Sequence, residues 1–198
     1  ETLELLIDDA PVDTYAELED APVFAFEATA TDAYFRNGVV MGDQVLTVFD
    51  EGYYAREVTV TADIPLQEVN PGESFSVRIY AGTKAAPEVD LNENNDNFNV
   101  RNLRLILPDG RTLRPAEAMD PESWIYMGDS GGAVDYLEAT FTAPDDAFTA
   151  HAYAWDTTAS PDATHVVTAR DGDHDVMATV HVDNTAPSIQ PTVADAEV

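Results

Sequence analysis

Apolar and polar residues alternate along most of this 198-residue chain. Leu137, Ala139 and Phe141 alternate with Glu138 and Thr140, and Val176, Ala178, Val180 and Val182 alternate with Met177, Thr179 and His181. Phe75, Val77 and Ile79 make a third run; Leu103, Leu105 and Leu107 make a fourth, opposed by Asn102, Arg104 and Ile106. A period of two sends successive side chains to opposite faces of a strand, so each run predicts a strand with one face in a core. Helical spacing is nearly absent, and a single turn is expected within residues 115–123. The fold class expected is all-β.

Turn chemistry then divides the chain. A first strand is expected in TLELLID near the start, followed by an acidic loop from Asp8 to Asp20. Asn37-Gly38, between Tyr34-Phe35 and Val39-Val40, predicts a hairpin, and Asp50-Glu51-Gly52 a second tight connection. Pro71-Gly72 opens onto the Phe75 run, and Pro108-Asp109-Gly110 predicts another hairpin. Residues 1–63 are expected as an N-terminal β-rich extension or small β domain, and 64–184 as a two-sheet antiparallel sandwich. Residues 185–198 contain Pro187 and Pro191, which remove backbone donors, and are expected as a linker or an exchanged strand.

One stretch resembles something known. Trp155-Asp156-Thr157-Thr158, then THVVTAR at 164–170, then VHVDNTAP at 180–187, resembles the closing strands of bacterial and archaeal extracellular immunoglobulin-like modules. The resemblance implies an immunoglobulin-like antiparallel β-sandwich and no chemistry. More loosely, the order of the acidic-amide loop at 87–100, the Met127–Ser130 segment and residues 147–158 is similar to accessory regions of secreted calcineurin-like metallophosphoesterases. That similarity implies an accessory role, because the catalytic motifs of the family are missing from these residues.

Charge changes the picture most. Asp and Glu number 38 against nine Lys and Arg, for a net charge of -29, and Lys84 is the one lysine. Such a surface repels itself unless salt shortens the Debye length, which falls to about 3 Å at 1 M. A high-salt origin, most simply a haloarchaeon, is the expectation. Nucleic acid is excluded as a partner, because phosphate recognition needs basic footprints. The chain has no cysteine, so thiolate chemistry and disulfides are absent. No apolar run is long enough to cross a membrane as a helix. The expected location is extracellular or at the cell surface.

Three motifs carry candidate chemistry. Gly128-Asp129-Ser130-Gly131-Gly132 matches the nucleophile loop of trypsin-like proteases, but that order needs a histidine before the serine, and the first histidine is His151. A Gly-rich connecting loop with an inert Ser130 is expected instead. Asp90, Asn92 and Asn94 fit the opening of an EF-hand loop, yet Asn95 stands where glycine belongs and Arg101 where the closing glutamate does. A different Ca2+ site built from Asp90, Asn92, Asn94 and Asp96 is the metal candidate; a solvated loop rich in Asx-turns is the alternative. Asp171–Asp175 is expected as a turn between strands. Trp124, Tyr126, Tyr153, Trp155, Tyr53 and Tyr54 are the aromatics that could stack on sugars, although tryptophan in a sandwich belongs more often to the core.

The function expected is that of a non-catalytic extracellular structural or interaction module of a larger protein, accessory to a hydrolase in one version. Its partners would be neighbouring domains or copies of the same protein. The alternatives are a subunit of a surface layer or filament assembled by strand exchange, and a carbohydrate-binding module facing surface polysaccharide. The charge balance yields a first prediction. The thermal midpoint should rise between 0.1 M and 3 M KCl in a calorimetric scan; an unchanged midpoint removes the high-salt reading.

Overall fold

The computed structural model describes residues 3–52, 56–89 and 94–187. The chain is all-β: among the described residues, fifteen strands and four short 3-10 turns make up the regular structure. It divides into two compact units, one of residues 16–150 and one of residues 1–15 with 151–198. The division therefore falls at 15/16 and 150/151, not at 63/64. Alternation marks where strands lie but not which strands pair, and the pairing is long-range here.

The smaller unit contains β1 (Leu3–Ile7) and β2 (Ala10–Val12). Strand β3 (Tyr15–Glu17) follows at the boundary. Segments expected as one acidic loop thus carry two short strands. The larger unit runs through β4 (Val23–Thr29), β5 (Asn37–Met41), β6 (Gln44–Phe49), β7 (Val58–Asp63) and β8 (Ser74–Tyr80). It continues with β9 (Phe98–Ile106), β10 (Thr112–Leu113), β11 (Ile125–Met127) and β12 (Tyr136–Thr142). Strand β13 (Ala150–Ala152) lies at the second boundary, and β14 (Ala163–Asp171) and β15 (His174–Val182) close the smaller unit.

Two antiparallel sheets make the larger unit. One has the order β10-β9-β4-β7 with β11 also on β9; the other has the order β12-β8-β5-β6. Three of the alternating runs read from sequence, on β8, β9 and β12, turn their apolar phase into the core between these sheets. Val77, Ile79, Leu103, Leu105 and Ala139 are fully buried, with Phe75, Leu107 and Phe141 nearly so. Six phenylalanine rings form a continuous chain through the core. Phe75 touches Phe141, Phe141 touches Phe24, Phe24 touches Phe26, Phe26 touches Phe49 and Phe49 touches Phe98, all with centroids 5.6 to 6.0 Å apart. Phe24, Phe26 and Phe98 come from one sheet, and Phe49, Phe75 and Phe141 from the other.

Strand order differs from the immunoglobulin arrangement, in which the first strand pairs with the second. Here β4 lies between β9 and β7, and β5 between β8 and β6. The Asn37-Gly38 turn is also replaced. Gly38 sits inside β5, opposite Val48 and Tyr80, and the β5–β6 reversal occurs at Gly42-Asp43. Gly38 is needed for a different reason: a Cβ there would come within 2.3 Å of the Pro87 side chain. The Asp50–Gly52 stretch leads from one sheet to the other, since β6 and β7 belong to different sheets. The Pro108–Gly110 hairpin is present, with Leu107 N donating to Arg111 O at 2.9 Å. The short turn expected near 115–123 is a 3-10 turn at Ala116–Ala118.

The smaller unit is one antiparallel sheet in the order β15-β14-β1-β2. Its β1–β2 reversal uses two residues, Asp8 and Asp9, both with positive φ (49° and 65°). Paired left-handed residues are the backbone of a type I′ turn, and aspartate tolerates that region better than branched residues do. Strands β14 and β15 pair through nine positions from Ala163↔Val182 to Asp171↔His174, so Gly172-Asp173 is the expected turn. Past β15, Asn184 N donates to Asp162 Oδ1 at 2.7 Å, and its Nδ2 donates to the carbonyls of Thr157 and Ser160. The start of the 185–198 segment is held by this anchor, and 188–198 lies outside the described residues.

The phenylalanine chain sets a second prediction. Phe26 is fully buried between two other rings, so Phe26→Ala should lower unfolding stability by about 3–5 kcal/mol. Chemical denaturation in high salt measures it; a loss below about 1 kcal/mol contradicts a close-packed ring chain.

Candidate functional site

Three places in the structure gather polar or aromatic groups beyond what the core needs. The first is the junction of the loops at 82–83, 94–97 and 128–132. Asn37 is its hub. Its Nδ2 donates to Asp96 Oδ2 at 2.6 Å, and its Oδ1 accepts from Gly82 N at 3.0 Å. Asp32 N also donates to Asp96 Oδ2, and Asp96 N donates to Gly82 O. Asp96 is 4% exposed, and burial pushes its carboxyl above the ordinary range, opposed by the bonds from Asn37, Asp32 and Asn97. Gly82 can only be glycine, because a Cβ would lie 1.8 Å from the Arg36 carbonyl oxygen.

This junction is where two of the sequence motifs meet. Of the Ca2+ candidates, Asp96 is buried in the hub and Asn94 is exposed, while Asp90 and Asn92 lie outside the described residues. Among the described residues, no group of three or more His, Asp or Glu is arranged to hold a metal. The Gly128–Gly132 stretch is a loop between β11 and β12 that locks onto the acidic-amide loop. Asp129 accepts from Asn95 N and Asn97 Nδ2, and Ser130 N donates to Asn97 Oδ1. Gly128, at φ 122°, passes so close to Asp96 O that a Cβ would sit 2.4 Å away. Gly128 and Asp129 of this apparent nucleophile loop therefore have structural work to do. His151 and His181 pair with Thr14 and Thr164, on the exposed faces assigned to them by alternation.

The second place is His165, in the smaller unit. Alternation gave no warning of it. Its side chain is 8% exposed, with Nδ1 at 2.6 Å from Asp8 Oδ2 and Nε2 at 3.1 Å from Pro161 O. Both partners are acceptors, so the geometry suits the doubly protonated ring. The bond to Asp8, then that to Pro161, raise the His165 pKa above its usual value. Asp8 is lowered, first by Val166 N and then by His165. Trp155 stands edge-on to the imidazole at 5.2 Å, its Nε1 donating to Ser160 Oγ.

The third is a set of aromatic side chains on outer faces. Trp124 is 42% exposed and carries the Arg101 guanidinium 4.6 Å from its ring centroid, so it is a surface residue and not part of the core. Arg101 is itself held by Glu57 and Glu122. Tyr126 and Tyr153 are also exposed, and Tyr53 and Tyr54 lie outside the described residues. On the four-stranded sheet, Tyr80 and Tyr136 face each other across β8 and β12 with centroids 6.2 Å apart. Periodicity could have found this pair, since both fall on the phase opposite Ile79 and Leu137.

The Asp8–His165 pair gives a third prediction. A raised histidine stabilises the fold fully below its unfolded pKa near 6.5, and that contribution is lost as pH rises through the folded value. The lowered Asp8 contributes above 3.8 and is lost as pH falls through its folded value. The pair therefore acts most strongly between those two values. The thermal midpoint should fall as pH rises from 6 to 9, and His165→Gln should flatten that slope. An identical slope in the variant contradicts a charged His165.

No protein-family model matches the chain, and no solved structure matches it. Along its whole length the chain is similar to the uncharacterized protein YvnB of Bacillus subtilis (strain 168), 32% identical over 200 aligned residues. The chain spans 15% of the length of that relative.

Proposed function

We propose that this chain is a non-catalytic interaction module of a longer extracellular protein adapted to high salt. The observation that carries the proposal is an apolar sheet face that is half-buried along β1 and β14 and exposed at its β15 edge. In the smaller unit, Val12, Leu5, Ala169 and Val176 lie in one cross-strand row, and Ala10, Ile7, Val167 and Ala178 in the next. None of these residues belongs to the hydrophobic core cluster. A sheet is stable when its apolar face is buried against a second layer; here Leu5, Ile7, Val12, Val167 and Ala169 are only half-buried, and Ala10, Val176 and Ala178 are exposed. Val176 is 72% exposed on that face.

The free edge points the same way. Strand β15 ends its sheet, and it holds nine continuous pairs with β14, with no proline or lysine to blunt it. Proteins normally protect such an edge. The occupant that fits is a sheet or strand from a neighbouring part of the same polypeptide. A length of 15% of its relative is what a module of a larger protein would have.

The WDTT, THVVTAR and VHVDNTAP residues that carry the immunoglobulin-like resemblance all lie in this smaller unit. The larger unit, whose chain keeps switching between two antiparallel sheets, fits a Greek-key double sheet of the jelly-roll kind. Surface location rests on the same resemblance, and the high-salt habitat on the charge.

Hydrogen exchange tests the docking. Amides of β15 should exchange at least tenfold more slowly in the longer polypeptide than in this chain alone, and Val176→Lys should abolish the difference. Equal rates in both lengths overturn the proposal.

A further inference from the structure

We propose that the outer face of the β12-β8-β5-β6 sheet binds a neutral oligosaccharide, with Tyr80 and Tyr136 as the stacking platform. This inference is independent of the docking surface on the smaller unit. On β8, Phe75, Val77 and Ile79 point into the core, which sends Arg78 and Tyr80 outward. Tyr136 stands opposite Tyr80, and Glu138 opposite Arg78. Tyr136 is 55% exposed, an unusual cost for a large ring that the core does not use. The pair Arg78–Glu138, at 3.0 Å, places the guanidinium 6.0 Å from the Tyr136 centroid and steadies the ring from one side.

Beside Tyr80 the face opens into a cavity of about 390 Å3. Val40, Val45, Tyr80 and Pro87 supply its apolar surface, and Asp43 and Glu88 its polar rim. Small-ligand sites occupy 300–1,000 Å3 and combine apolar walls with a few polar groups, which matches this composition. Gly38 makes the cavity possible, because the absence of its Cβ lets Pro87 lie against β5.

Sugar chemistry suits both parts. A pyranose presents an apolar C–H face, which covers an aromatic ring, and an edge of hydroxyl groups, which donate to carboxylates. Asp43 and Glu88 can only accept when ionised, so they favour a hydroxyl-rich ligand. Ionised carboxylates accept but do not donate, so they offer uronates, sulfated sugars and phosphates no donor. Stacking and hydrogen bonding also survive molar salt, which screens long-range attraction.

Isothermal titration calorimetry in about 2 M KCl tests the proposal with cellohexaose, laminarihexaose and mannohexaose. A hexagalacturonate and a polyproline peptide serve as the anionic and peptide competitors. At least one neutral hexasaccharide should bind, Tyr136→Ala should weaken it at least tenfold, and Tyr136→Phe should retain it. Because Tyr136 is exposed, its alanine variant should keep the parent thermal midpoint within a few degrees, whatever Tyr80→Ala does to folding. Failure of all three neutral sugars to bind, tighter binding of the galacturonate or the peptide, or unchanged affinity in Tyr136→Ala overturns it.

Discussion

The larger unit depends on one physical contact, the chain of six phenylalanine rings between its sheets. Each ring meets the next at tilted or edge-on angles of 35° to 79°, the range in which ring edges meet ring faces favourably. Both Phe24 and Phe26 come from β4, the central strand of its sheet, paired with β7 on one side and β9 on the other. Segments far apart in sequence are fixed by this contact, so strands before and after residue 64 belong to one core.

A dry core of this kind leaves its connecting loops to be tied by polar groups. Asn37 does so from inside β5, bonding Gly82 and Asp96 at once, and Asp129 extends the network to Asn95 and Asn97. Buried polar groups cost free energy unless they are paired, so a network with nearly all its members bonded specifies one loop arrangement. The motifs that look catalytic or metal-binding in the sequence converge here because glycine, aspartate and asparagine are also the residues that close loops. Gly82 and Gly128 show this plainly, since each lies where a Cβ would strike a backbone oxygen.

The smaller unit obeys a different constraint. Its sheet contributes no residue to the large core cluster, and its order rests on pairing and on polar anchors: Asp8 on His165 and Val166, and Asn184 on the 157–162 loop.

Alternation alone determined that the chain is all-β, and it placed the inward phases of β8, β9 and β12 correctly. Turn chemistry located the Pro108–Gly110 and Asp171–Asp175 reversals, where local backbone requirements decide. It failed at Asn37-Gly38, where glycine answers to Pro87, 49 residues away in sequence. The same limit hid the two-unit division, the strand order, and the burial of His165 against Asp8. Period-two patterns are local, whereas strand pairing, sheet packing and the pairing of buried charges are set by contacts between distant segments. Val176–Val182 carries the limit furthest: its alternation is that of a core strand, and only the tertiary structure decided that Val176 and Ala178 are exposed while Val182 is buried.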